Sequence, residues 1–330
     1  MSPELSIVLV GATGFVGSAL LRQISHRKIA SSNVHALVRQ DTASVQEKGV
    51  RVFPGDLFSI PRELFPEKPY VVLHFGTKQV DRDRTGFWEN NVGGTRNLLS
   101  SLTSSCAGII YGSSMSVYGQ GEQNNVNEEA TLYPGTALAS SRVAAESCIE
   151  NEAKTRGISA LSLRPRFILG EGDQYTIPGL VSLFRKNLSI HGCKAKYSIV
   201  DVDDYASIIL RLAESFAVNA PRQSAMNVGL STPLTFTSLE NVLIKTLGIS
   251  RPFIRLPLGK STIRITRFIP AKKAASLATK LELLCQNHYG NMGRLEAAIG
   301  REITSQDPAH VAMQAAQKSI SKVNTNVTKN

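Results

Sequence analysis

A short apolar run that ends in spaced glycines constrains this chain more than any other feature. Leu5-Ser-Ile-Val-Leu-Val10 leads without a break into Gly11-Ala-Thr-Gly14-Phe-Val-Gly17, and Ala19, Leu20, Leu21 and Ile24 follow at helical spacing. Strand, turn and helix in that order open a βαβ unit. Gly11 permits a tight turn, Gly14 lets the backbone approach a pyrophosphate, and Gly17 lets helix and strand pack closely. The free N–H groups of the helix start would then face the phosphates. Thr13, Phe15 and Val16 complete the segment, so Gly11, Thr13, Gly14, Phe15, Val16 and Gly17 are candidate dinucleotide-binding residues.

The pattern continues along the chain. β-branched runs near 5–10, 34–38, 51–53, 70–75, 107–112 and 159–163 alternate with helical spacing near 15–27, 87–105 and 138–156. Such alternation predicts an α/β fold: a Rossmann doubly wound parallel sheet with helices on both faces. From about residue 170 glycines and prolines loosen the pattern, and helices near 203–215, 237–247 and 261–283 stand out. The reading is a Rossmann domain over 1–170, to which later segments return, a smaller substrate-binding lobe over 171–318, and a polar disordered tail over 319–330.

Charge and composition narrow the function classes. The 330 residues carry a formal net charge of +11, with 6% aromatics. The excess is concentrated late, where Arg251, Arg255, Lys260, Arg264, Arg267, Lys272, Lys273 and Lys280 face only Glu282. That stretch reads as a solvated basic face, a clamp for a diphosphate, or a weak contact with an anionic membrane. Few aromatics and no interleaving with Lys or Arg argue against a nucleic-acid groove. No apolar run is long enough to span a membrane, and the first one lacks a basic leader, so a cytoplasmic location is expected. Cys106, Cys148, Cys193 and Cys285 form no CxxC pair, so reduced thiols and no metal site are expected.

At the end of the second strand an acid would grip the ribose 2′-hydroxyl of NAD. The chain has Val38 there, followed by Arg39. A guanidinium can pair with a 2′-phosphate, which favours NADP(H) over NAD(H). The alternative is Arg39 as an ordinary exposed base with relaxed cofactor choice.

Later motifs extend the pattern. Gly55-Asp56-Leu57, Val72-Leu-His74-Phe75-Gly76 and Asn91-Val-Gly-Gly94-Thr95 precede Gly112-Ser-Ser114-Met-Ser-Val-Tyr118-Gly119, and Leu163-Arg-Pro165 leads to Ile168-Leu-Gly170. Val202-Asp-Asp-Tyr-Ala206, Met226-Asn-Val-Gly229 and Met292-Gly-Arg-Leu295 through Gly300 follow. Together with the GxxGxxG spacing, nearly the whole chain resembles the extended short-chain dehydrogenase/reductase superfamily, in particular its NAD(P)-dependent epimerase/dehydratase and 3β-hydroxysteroid dehydrogenase-like groups. The resemblance implies that Asp56 and Leu57 meet the adenine and that Phe75, Gly76, Thr77, Asn91 and Pro165 line the cofactor. It implies that Ser114, four residues before Tyr118, polarises a substrate carbonyl. It also implies a homodimer through paired helices and a small-molecule substrate.

One part of the pattern is broken. The superfamily's chemistry rests on a Tyr-x-x-x-Lys pair, and alignment on Ser141 and Glu146 puts Leu138 and Arg142 in those two places. Leucine has no proton to exchange, whereas arginine can still hydrogen-bond the nicotinamide ribose. Loss of general acid–base help would lower turnover about 10²–10⁴-fold unless another donor acts. Tyr133 and Tyr118 are the nearby phenols, and Tyr118 belongs to a motif that is normally structural. The candidate catalytic residues are therefore Ser114, Tyr133 and Arg142. Two readings stand: an NADP(H)-dependent oxidoreductase or epimerase acting on a hydroxyl or keto group of a sugar nucleotide or other alicyclic compound, and an NADP(H)-binding pseudoenzyme serving as redox sensor or structural partner.

Overall fold

A computed structural model of the chain describes residues 5–27, 29, 33–40, 42–46, 49–81, 86–216, 224–256 and 283–327. The strands are β1 (Ser6–Val10), β2 (Val34–Val38), β3 (Arg51–Pro54), β4 (Tyr70–His74), β5 (Cys106–Gly112), β6 (Gln123–Val126), β7 (Ser159–Pro165) and β8 (Phe167–Leu169). They continue as β9 (Leu188–Ile190), β10 (Lys196–Tyr197), β11 (Ile199–Asp201), β12 (Ala225–Val228), β13 (Leu234–Thr235), β14 (Ile254–Leu256) and β15 (His288–Gly290). The α-helices are α1 (Phe15–His26), α2 (Thr42–Gln46), α3 (Gly94–Ser101), α4 (Ala137–Arg156) and α5 (Thr176–Arg185), then α6 (Val202–Phe216), α7 (Phe236–Leu247), α8 (Gly293–Ile299) and α9 (Pro308–Val327).

Seven strands form one parallel sheet in the order β12-β7-β5-β4-β1-β2-β3. β1, β2 and β4 are buried at every residue, which is why they read as unbroken apolar runs. Of the seven strands the edge strand β3 alone has exposed residues, and it tolerates Pro54. α1 and α6 cover one face through Leu20, Ile24, Ile208 and Leu212, while α3 and α4 cover the other through Leu98, Leu99, Ala145 and Ile149. Winding reverses between β1 and β4, and in such sheets that switch point leaves a crevice at the carboxyl ends of the strands.

A second core gathers Leu180, Phe184, Phe236, Leu243 and Val311 under α5, α7 and α9. A four-stranded sheet in the order β13-β10-β15-β6 lies with it, and α6 and β12 return to the parallel sheet.

Two sequence expectations change. The helix placed at 87–105 opens as a π-turn over Glu89–Gly93 and stops at Ser101, where Leu102 turns extended. The tail read as disordered from 319 is instead the last part of α9, which runs to Val327. Asp307 starts that helix by accepting from the His310 N–H at 2.9 Å, and Pro308 suits its first position. Its buried stripe is Val311, Ala312, Ala315 and Ala316, mostly too small to register as an apolar pattern. The helix expected at 261–283 and most of the basic stretch lie outside the described residues. No helix among the described residues is long and apolar enough to cross a membrane.

Candidate dinucleotide and substrate site

The glycine turn is tight where it meets protein and open where it meets the crevice. A Cβ on Gly11, whose φ is +93°, would stand 2.6 Å from the Gly76 nitrogen. One on Gly17 would stand 2.0 Å from the Gly11 carbonyl oxygen. At Gly14 a Cβ would meet only that same oxygen, at 3.2 Å, so space lies beyond it. Gly14 caps α1 with no side-chain hydrogen bond, and no acid stands in the first turn. An uncapped helix start beside open space is what a diphosphate requires, so these residues fit a dinucleotide. Thr13 is exposed there, and Phe15 and Val16 are half-buried. Phe75 donates to the Val10 carbonyl at 2.9 Å, which brings Gly76 and Thr77 alongside the turn.

The flanking positions are placed by their strands. Arg39 is exposed directly after β2. Asp56 folds onto its own turn, one oxygen accepting from the N–H groups of Phe58 and Ser59 at 2.8 and 2.9 Å. Leu57 packs against Gly94. Pro165 ends β7, opposite Val228.

Beyond β5 the polar side chains interlock. The Ser114 hydroxyl caps the turn Met115–Tyr118 by accepting from the Ser116 N–H at 3.2 Å. Arg142, nearly sealed from solvent on α4, donates to the Ser116 hydroxyl at 3.2 Å and to the Gln79 side-chain carbonyl. Its Nε has no partner among the described residues. Burial presses the arginine pKa below its ordinary value, yet a guanidinium stays charged. Gln79 in turn donates to the Thr77 hydroxyl at 2.6 Å. Asn91, fully buried, accepts from Lys78 N–H at 2.7 Å and donates to the Ser141 hydroxyl at 3.0 Å, tying the segment after β4 to α4. Ser114, Ser116, Arg142, Gln79 and Thr77 are thus linked in one chain, and Asn91 fastens Lys78, the neighbour of Gln79, to α4.

A model of the NAD dependent epimerase/dehydratase family matches residues 7–229. The chain belongs to that family. An uncharacterized protein, y4nG of Sinorhizobium fredii, is 27% identical over 206 residues, which cover 61% of this chain and 48% of that one. A 2-alkyl-3-oxoalkanoate reductase of Stenotrophomonas maltophilia is 27% identical over 273 residues, 75% of this chain and 77% of its own. Among solved structures, UDP-glucuronic acid 4-epimerase from Bacillus cereus in complex with NAD superposes with a TM-score of 0.72 at 14% identity, covering 97% of this chain and 99% of that one, a likeness of fold. The chain spans about half the length of the first curated relatives it matches.

Against the epimerase/dehydratase pattern, the two phenols near the site part company. Tyr118 is locked: its hydroxyl donates to Asn227 at 2.8 Å and accepts from Arg164 at 3.0 Å. Burial raises its pKa, and its one hydroxyl proton is already given to Asn227. Tyr133 hydrogen-bonds through its backbone to Val117 at 3.0 Å, but its side chain is 78% exposed. Leu138 and Arg142 lie one turn apart on α4, Leu138 half-buried and Arg142 buried. Sequence reasoning passed over Gln79 and Ser116. Gln79 sits in an irregular segment without a motif, whereas Ser116 lay inside a quoted motif at a position to which no role was given.

Proposed function

We propose that the chain binds NADP(H) in preference to NAD(H) and acts as an oxidoreductase or epimerase on a hydroxyl or keto group of a sugar nucleotide or other alicyclic compound. In this reading Gly11, Thr13, Gly14, Phe15, Val16 and Gly17 hold the pyrophosphate and Arg39 the 2′-phosphate. Asp56 and Leu57 border the adenine; Phe75, Gly76, Thr77, Asn91, Arg142 and Pro165 border the nicotinamide half. When bound, the cofactor supplies or accepts a hydride. Ser114 donates a hydrogen bond to the substrate oxygen, and Arg142 holds positive charge beside it. Tyr133 is the one phenol of the two with an uncommitted hydroxyl, and a swing of its exposed side chain would make it the acid.

What supports the reading most is the open face at Gly14 combined with the uncapped start of α1. The test is to mix the purified chain and NADPH with a panel of alicyclic ketones and to incubate it with nucleotide sugars, following NADPH absorbance and sugar configuration. Turnover on either panel supports an enzyme. Tight cofactor binding without turnover supports the second reading, a pseudoenzyme that senses redox state or supports a partner, which Leu138 favours. A homodimer, a weak anionic-membrane contact through the basic stretch after Arg251 and a cytoplasmic location also belong to this proposal; analytical ultracentrifugation and co-sedimentation with anionic liposomes test the first two.

A further inference from the structure

Ser116 stands between Met115 and Val117, both fully buried, and is itself half-buried. Its oxygen accepts from Arg142, and a guanidinium can only donate, so the hydroxyl hydrogen of Ser116 must point elsewhere. The same logic applies to Ser114, whose oxygen accepts from the Ser116 N–H. Among the described residues neither hydroxyl has an acceptor to donate to. Two O–H donors two residues apart are therefore left for a ligand or water, and a buried cation backs one of them.

Among the described residues that cation makes no ion pair, although the field of Glu146 reaches it. Both hydrogen-bond partners of Arg142 are neutral, and the nearest acid on its own helix, Glu146, uses its two oxygens on Arg164 at 3.2 and 2.6 Å. Tyr111 and Tyr205 also interact with the guanidinium, but both are buried with raised pKa values and stay neutral. One turn before Arg142 stands Leu138, half-buried, in the place that the sequence pattern gives to a phenol. The field of a cation is worth most where water is excluded.

We infer that Ser116 is a second donor to the substrate oxygen, and that Ser114, Ser116 and Arg142 form a pocket for an oxygen anion, the carboxylate or enolate oxygen of the ligand, which they stabilise without handing it a proton. This inference rests on the proposal that the crevice after β5 is the substrate site. It changes the expected substrate class: a ligand with an acidic oxygen, such as a carboxylate or a 1,3-dicarbonyl, fits better than a plain alcohol.

The test titrates the full chain with trifluoroacetate as carboxylate probe, by fluorine NMR, with and without saturating NADP+. The unmodified protein should bind the probe, more tightly with NADP+ present. Ser116→Ala should weaken it about tenfold, the scale of one charge-assisted hydrogen bond, while Ser116→Thr stays within about threefold. Ser116→Ala leaves the buried guanidinium one acceptor fewer and should lower the thermal midpoint by a few degrees, whereas Ser116→Thr should keep it, and affinity for NADP+ should stay within about threefold in both. Equal probe affinity in Ser116→Ala, or no probe binding by the NADP+-loaded protein, overturns the inference. Probe binding that depends on Ser116 in a chain that fails to bind NADP+ would sustain the anion pocket and remove the cofactor proposal.

Discussion

Arg164 closes on Glu146 through two hydrogen bonds, 3.2 Å from Nε and 2.6 Å from Nη2, with both side chains almost sealed from solvent. Tyr118 and Asn227 extend the network, so the turn after β5, α4, β7 and β12 are bound to one another by four side chains. Burial opposes the arginine charge, but the hydrogen bonds and field of Glu146 more than offset it and hold its pKa above the ordinary value. Glu146→Leu should therefore strand a buried charge and cost about 3–5 kcal/mol. Adding Arg164→Met should recover much of that loss, since a buried pair is often replaceable by apolar volume. Urea unfolding of the two variants measures both.

His74 gives the chain a dependence on acid. Its Nε2 lies 2.9 Å from the Thr95 hydroxyl, which already donates to the Asn91 carbonyl, so the ring must donate from Nε2 and is neutral. Complete burial pushes its pKa down to about 4. The unfolded chain binds this proton near the ordinary histidine value of 6.5, the folded chain only near 4, so stability is full above the first value and falls between the two. From pH 7 to pH 5 the loss should be about 2 kcal/mol from this group. His74→Phe should show a shallower decline in urea midpoint over that interval than the unmodified protein.

The three glycines of the turn should fail in different ways. Gly17→Ala forces a Cβ into the Gly11 carbonyl and should unfold or strongly destabilise the domain. Gly14 has φ −74° and space beyond it, so Gly14→Val should fold with a thermal midpoint within a few degrees of the original. Its side chain would occupy the proposed pyrophosphate place and lower nucleotide affinity by about tenfold or more, about 1.4 kcal/mol or above. Differential scanning fluorimetry with and without nucleotide separates the two effects.

The sheet was legible because its central strands are buried on both faces and its glycines mark real close approaches, at Gly11 and Gly17 above all. The helix α9 was not, because alanines and a serine make up most of its buried stripe up to Ser319 and give almost no hydropathy contrast. At the site, Ser114 and Arg142 could be placed from motifs, while the link through Ser116 and Gln79 depends on side-chain directions that spacing does not encode. Tyr133 shows the same limit: adjacency in sequence left open whether its hydroxyl faced the crevice, and it lies in solvent.

Restoring the absent phenol should restore proton transfer. Leu138→Tyr combined with Arg142→Lys should raise carbonyl reduction with NADPH by about 10²–10⁴-fold over the unmodified chain. In reduction the new phenol gives its proton to the substrate oxygen, so the added activity should fall as pH rises through the phenol's pKa, and a stopped-flow pH profile would detect it. Equal rates in both proteins would mean that the chain already has a competent donor, for which Tyr133→Phe is the direct check.

The central claim is that the turn from Gly11 to Gly17 and Arg39 hold a phosphorylated dinucleotide. Parallel calorimetric titrations with NADPH and NADH test it most directly. The account predicts saturable binding of both with NADPH the tighter, and a preference that shrinks in Arg39→Ala. Heat from neither nucleotide would contradict dinucleotide binding itself, and equal affinities would contradict the role given to Arg39.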